Sequence, residues 1–254
     1  MKKLNFYYEN LFKQLKIKKG DKIVIHSNLF TFGFSSSKLP KIIISNLKLA
    51  VGSSGTIVMP LYTFGADSSQ LYDKKKIHKS KHTKFTSLLS EVFFKEKKII
   101  RSDCPIHSHI GIGKESNILL KSNPSNTYGK KSDFELMKNN NFKLLLLGCS
   151  AQEGATYFHH VETMKNVSYG KWISFKRKII INKKIKNINV NFFERKKIKY
   201  DLNRALQLIA KKSKTYISVP NKYYRSSIIN IKELNTITIS QLKKNPRFLI
   251  KNEK

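Results

Sequence analysis

The chain has 254 residues, 40% of them hydrophobic, and 50 Lys and Arg against 16 Asp and Glu give it a formal net charge of +34. That length can bury a full core, and that hydrophobic content excludes a disordered chain. No apolar run approaches the roughly 20 residues of a membrane-spanning helix, and two cysteines, Cys104 and Cys149, make no disulfide framework.

Taken in chain order, the apolar spacing of Leu4, Tyr7, Tyr8, Leu11, Phe12 and Leu15 predicts a helix over 4–17. Glu9, Lys13 and Lys16 interrupt this stretch, so it has no signal-peptide core and a cytoplasmic protein is expected. Gly20-Asp21 turns the chain into Ile23-Val24-Ile25, a buried strand; a second helix fits 38–50. Thr56-Ile57-Val58-Met59 is another buried strand, stopped by Pro60. Helix, strand, helix, strand predicts an α/β fold with at least one parallel pair. Residues 65–84 read as a basic loop, 86–96 as a helix, and 98–130 as a long irregular segment of the kind that often carries function. Ser132 and Glu135 have capping-box spacing for a helix at 132–138. Leu144 to Leu147 is a strand, and a helix over 155–165 follows. Beyond 170, two β-rich runs, Ile179-Ile180-Ile181 and Ile188 to Phe192, flank a Lys/Asn turn at 183–187. A helix at 201–212, a strand at 214–219 and a helix at 239–249 complete the chain. No linker divides it, so one domain over 1–254 is expected, with core motifs in 20–165 and a β-rich and helical part in 170–254.

The lysines are scattered rather than gathered into a stripe with interleaved aromatics, so no specific nucleic-acid binding is expected from the charge. Reactive side chains concentrate at a few places. His26-Ser27-Asn28-Leu29 follows a strand directly, where ligands of open α/β sheets sit. Arg101-Ser102-Asp103-Cys104-Pro105-Ile106-His107-Ser108 mixes a cation, hydroxyls and an imidazole. His159 and Glu162 lie at i and i+3 on one helix face, the spacing of a general base and its orienting carboxylate, and equally of a half-exposed helical ion pair. His107, His109, His159, His160 and Glu162 match no firm metal motif, so no metal is expected. The Gly-rich nucleotide loops and the Gly-x-Ser-x-Gly elbow do not occur.

In order, these segments resemble the aminoglycoside 3-N-acetyltransferase family. The resemblance is carried by Val24-Ile25-His26-Ser27-Asn28-Leu29 with Gly33, and by Val51-Gly52-x-x-Gly55-Thr56-Ile57-Val58-Met59-Pro60 with Tyr62-Thr63-Phe64. It continues through Arg101-Ser102-x-Cys104-Pro105-x-His107-Ser108 with Gly113, Tyr128-Gly129-x-x-Ser132, Leu144 to Gly148, and Thr156-x-x-His159-x-x-Glu162. Asn28 and Cys104 depart from the family's usual serine and histidine, and 170–240 matches poorly.

The resemblance implies an α/β fold with a mixed central sheet flanked by helices. It implies acetyl-CoA as donor and a primary amine on a sugar as acceptor. It implies His159 and Glu162 as the catalytic pair, and His26, Ser27, Asn28, Leu29, Thr63, Arg101, Ser102 and Ser108 around the donor site, with His107 and Thr156 in support. Direct transfer with His159 as base is the expected route; Cys104 and Cys149 leave an acyl-cysteine route open. The +34 charge disfavours a polycationic acceptor, so an amino sugar linked to a nucleotide or lipid diphosphate is preferred over an aminoglycoside drug acetylated at its 3-amino group. A homo-oligomer is left open. The rivals from other classes are a non-catalytic basic RNA-binding or scaffold protein and a zinc hydrolase.

Overall fold

The computed structural model of the chain describes residues 2–33, 36–63, 71–78 and 87–251. At its centre is a seven-stranded sheet in the order β3-β4-β2-β1-β5-β9-β8. Its strands are β1 (Lys22–Ser27), β2 (Thr56–Pro60), β3 (Ile100–Arg101), β4 (His109–Gly113), β5 (Lys143–Leu147), β8 (Ile217–Pro220) and β9 (Arg225–Asn230). β1 pairs parallel with both β2 and β5. The outer pairings, β2 with β4, β3 with β4, β5 with β9 and β8 with β9, are antiparallel. The sheet is therefore mixed, as expected.

The continuous apolar runs of β1, β2 and β5 have a simple cause: both faces of the central strands are covered. Val24, Val58, Leu144 and Leu146 point into one core, with Phe134, Phe142 and Phe158. Ile23, Ile25, Ile57, Met59, Leu145 and Leu147 point into the other, with α1 (Lys2–Gln14) and α2 (Leu39–Val51). The two-residue alternation of a strand sorts neighbouring apolar residues to opposite sides.

α3 (Leu88–Phe93), α4 (Asp133–Asn139), α5 (Ala151–Gly154), α6 (Tyr157–Lys165), α7 (Leu202–Ala210) and α8 (Ile231–Lys244) complete the helices described. Ser132 caps α4, its side chain accepting from the Glu135 N–H at 3.3 Å, while the Glu135 carboxylate accepts from the Lys131 N–H at 2.7 Å. The two β-rich runs form a hairpin, β6 (Gly170–Ile181) with β7 (Lys184–Arg195), outside the main sheet. Its turn is tighter than expected. Asn182 and Lys183 both take positive φ, 50° and 63°, the conformation that two-residue hairpin turns require.

Two sequence expectations need correcting. The segment 98–130 is not irregular throughout, since it holds β3, β4 and a 3-10 turn at Ser116–Lys121. β4 reads His-Ile-Gly-Ile-Gly, and its glycines and histidine hide a buried strand from an apolar pattern. The last helix starts at Ile231, not 239, after the unforeseen strand β9. Asn230 caps it by accepting from the Lys232 and Glu233 N–H groups, a stronger start signal than the β-branched residues inside the helix suggest. The basic loop expected at 65–84 and the start of the helix expected at 86 lie largely outside the described residues, as does Phe64. Within that stretch, Tyr72 bridges to Ile179 on the hairpin. Among the described residues, no helix is long and apolar enough to cross a membrane.

Candidate active site

β1, β2 and β5 run in one direction, so Ser27, Pro60 and Leu147 end on the same edge of the sheet. The antiparallel β4 and β9 begin there, at His109 and Arg225. β1 lies between β2 and β5, so the chain's crossovers diverge at its carboxyl end, the place where open α/β sheets hold ligands. The loops here are tightly joined. Gly148 takes φ 65°, and a Cβ on it would lie 2.8 Å from the Asn28 carbonyl oxygen. Asn28 starts a 3-10 turn by accepting from the Phe30 N–H, and its amide donates to Glu153 at 3.0 Å. Glu153 in turn closes a capping box with Ser150 at the start of α5. The residue standing where a second serine was expected therefore ties the loop after β1 to the loop after β5.

α6 carries the pair that the sequence singled out. His159 Nδ1 lies 2.8 Å from Glu162 Oε2. The His159 side chain is 21% exposed and that of Glu162 fully buried, so the imidazole opens to the surface while its partner does not. Glu162 also accepts from the Tyr169 hydroxyl at 2.7 Å and the Tyr200 hydroxyl at 3.3 Å, and the Tyr200 ring stands edge-on to His159. A buried carboxylate needs such donors to stay charged. Its bond fixes the imidazole with Nδ1–H donating, leaving Nε2 as the proton acceptor. Burial sets the His159 pKa below its usual 6.5; the Glu162 bond pulls it up and the Arg195 charge pushes it down.

The adjacent His160 differs. Its Nδ1 accepts from the Gly129 N–H at 3.2 Å, it stacks on Phe134, and burial drives its pKa down to about 3. It packs as a neutral core ring.

Tyr62, quoted in a motif but not foreseen as a centre, joins the other segments. Its ring meets His26, His107 and His109 at centroid distances of 6.3, 5.0 and 5.4 Å. Its hydroxyl bonds to Thr156 and lies 3.4 Å from His109 Nε2. His107 Nε2 is 3.1 Å from the Tyr128 hydroxyl. Burial drives the His26 pKa down to about 3 and that of His107 well below 6.5. Behind Tyr62 lies a second imidazole–carboxylate pair. His109 Nδ1 is 2.9 Å from Asp133 Oδ2, which also accepts from the Ser102 hydroxyl at 2.6 Å. Asp133 follows an N-cap in the first turn of α4, where an acidic residue reads as ordinary dipole complement, so the sequence offered no signal for it.

The remaining expected residues are drawn into internal bonds. Arg101 donates to the Leu61 and Lys76 carbonyls and to the Ser108 hydroxyl, and Ser108 donates to the Leu61 carbonyl. The Thr63 hydroxyl donates to the Pro105 carbonyl at 2.6 Å. Ser27 faces Ser87 at 3.5 Å, and Leu29 is half-buried. The structure thus gathers His26, His107 and Thr156 around Tyr62, joins His159 to Glu162, and buries Arg101, Ser102 and Ser108 beneath.

Cys104 and Cys149 are both buried and unpaired with each other. Burial, then the negative charge of Asp133, pushes the Cys104 thiol up to about 12. Burial and Glu153 push the Cys149 thiol above its ordinary range. Among the described residues, no group of three or more His, Cys, Asp or Glu side chains could hold a metal ion.

A family model described as aminoglycoside 3-N-acetyltransferase matches residues 24–243. The fold is similar to that of the YokD protein from Bacillus subtilis, with a TM-score of 0.79 at 19% identity over 95% of this chain and 99% of the other. It is similar to a mutant of aminoglycoside acetyltransferase AAC(3)-IVa in complex with a gentamicin, with a TM-score of 0.78 at 19% identity over 98% and 91% of the two chains. It is also similar to AAC-IIIb in its binary form with CoASH, with a TM-score of 0.80 at 13% identity over 98% of each chain. At these identities the likeness is one of fold. A comparison with curated protein sequences finds no match.

Proposed function

This chain belongs to the aminoglycoside 3-N-acetyltransferase family, and from that premise we propose that it moves the acetyl group of acetyl-CoA directly onto a primary amine of an amino sugar, with His159 as the base. The observation that carries the reading is the His159–Glu162 pair: an accessible imidazole held by a buried carboxylate, on the helix whose leading residue Thr156 bonds to Tyr62. An ammonium cannot attack a thioester. His159 Nε2 takes the proton as the amine nitrogen bonds to the thioester carbon, the carbonyl oxygen becomes an oxyanion, and its collapse expels the CoA thiolate. Glu162 keeps the tautomer and stabilises the imidazolium that forms. In this reading the loop from His26 to Leu29 borders the donor. Thr63, Arg101, Ser102 and Ser108 hold the loops in shape, because their polar groups are already bonded within the protein.

The pH profile follows from the sign of the His159 shift. A base works when deprotonated, so the enzyme's acid limb falls below pH 6.5 and the plateau is reached by neutrality. Glu162 raises that pKa, so Glu162→Gln moves the limb lower still. A limb above 6.5, or one that the substitution leaves in place, would contradict the assignment of kcat/KM to His159.

Direct transfer also predicts that Cys104→Ala and Cys149→Ala each keep transfer within a few-fold. A protonated, buried thiol is a poor nucleophile. Mass spectrometry after incubation with acetyl-CoA alone should find no acetylated protein; an acyl-enzyme would replace this mechanism with a covalent one.

The acceptor proposed is an amino sugar carried on a nucleotide or lipid diphosphate. A charge of +34 attracts anions and repels polycations. Two acidic side chains among the described residues are committed as well, Glu162 to His159 and two phenols, and Asp133 to His109 and Ser102. The second reading is a drug acceptor, favoured by the gentamicin complex of a protein of the same fold. Thiol release from acetyl-CoA tests both, using a nucleotide-linked amino sugar and a kanamycin-type drug. Higher kcat/KM on the drug would overturn the preference.

A further inference from the structure

Arg195 is the last residue of β7, paired with Gly170 at the base of the hairpin. Its guanidinium carbon stands 5.5 Å above the centre of the Tyr128 ring. Gly170, its partner across the hairpin, follows Tyr169, whose hydroxyl donates to Glu162 at 2.7 Å, and the Tyr128 hydroxyl is 3.1 Å from His107 Nε2, so the cation stands close to the groups that surround the His159–Glu162 pair. Among the described residues, no carboxylate makes an ion pair with it. Glu162 is spent on His159 and two phenols, and the neighbouring Glu194 turns across the hairpin to Lys171 at 3.4 Å. The guanidinium bonds to the Tyr128 side chain, yet its Nη1 atom is buried with no hydrogen-bond partner among the described residues.

A buried donor on a cation, left without an acceptor, is costly unless a ligand completes it. A guanidinium edge fits the paired oxygens of a phosphate or carboxylate. We propose that Arg195 binds an anionic group, a phosphate above all, carried by the acceptor whose amine is presented to His159. This rests on the acetyl-transfer reading and deepens it. CoA has phosphates too, but its pantetheine arm keeps them far from the thioester. An anion beside the base therefore belongs to the acceptor. The same cation turns away a polycation, whose approach would bring like charge against it.

The test compares glucosamine 6-phosphate with glucosamine, on the wild type, Arg195→Met and Arg195→Lys. The wild type should favour the phosphorylated sugar in kcat/KM. Arg195→Met should reduce that preference at least tenfold, with the KM for acetyl-CoA held, and Arg195→Lys should restore part of it. In parallel, melting temperature is followed with each sugar and no acetyl-CoA. The phosphorylated sugar should stabilise the wild type and not Arg195→Met. A preference unchanged in Arg195→Met, or a rise in the KM for acetyl-CoA in its place, overturns the assignment; the latter gives the cation to the coenzyme. Stabilisation that depends on Arg195 without any acetyl transfer supports the anion site and sinks the transfer reading.

Discussion

Replacing His159 by alanine is expected to lower kcat by about 10²- to 10⁴-fold, the usual contribution of a positioned acid–base group, while the KM for acetyl-CoA stays within a few-fold. The reasoning is geometric. Among the described residues, His159 is the imidazole that combines surface access with a buried carboxylate partner. His160, next along the helix, is locked to the Gly129 N–H, and His109 is sealed at 0% exposure against Asp133. Neither can meet an incoming amine. Steady-state kinetics at saturating acceptor checks the claim. A variant that retains near wild-type kcat would remove His159 from the chemistry. The Glu162→Gln enzyme should fall between the two, because an amide still accepts from Nδ1–H but no longer stabilises the imidazolium.

The second large effect is structural. Phe134→Ala should destabilise the fold by about 3–5 kcal/mol, the range for truncating a fully packed aromatic. Phe134 is 2% exposed and stands between both imidazole networks. Its ring lies 5.1 Å from those of Tyr128 and His109, 6.0 Å from His160 and 6.1 Å from His107. Its loss leaves a cavity under all of them. For a chain of this size the shift is roughly 10 °C in melting temperature. Denaturant or thermal unfolding with circular dichroism measures it, and a loss below about 1 kcal/mol would mean that the site relaxes into the gap.

What could be read from the sequence follows from distance along the chain. β1, β2 and β5 were legible because both faces of each are buried, which leaves unbroken apolar runs such as Leu144 to Leu147. β4 was not, because Gly111 and Gly113 supply backbone to the sheet without an apolar side chain. His159 and Glu162 were legible because three residues of helix bring them together. Tyr169 and Tyr200, which keep Glu162 supplied with donors, come from beyond α6 and beyond the hairpin, and no local spacing announces them. The pairing of His109 with Asp133 spans 24 residues and was equally silent. Arg101 and Ser108 show the converse. Their positions were legible from a motif, but only the fold reveals that their polar groups point inward to backbone carbonyls. Arg195 sits in a Lys- and Arg-rich run, where composition gives no reason to choose it over its neighbours.

The central claim is that this protein transfers acetyl from acetyl-CoA to an amine through His159. The direct measurement is mass analysis of a nucleotide-linked amino sugar incubated with acetyl-CoA bearing an isotopic label in the acetyl group, with wild type and His159→Ala side by side. Labelled N-acetyl product from the wild type, formed in step with free CoA and lost in the variant, is the predicted result. Free CoA without labelled amide, or equal product from both proteins, would contradict it.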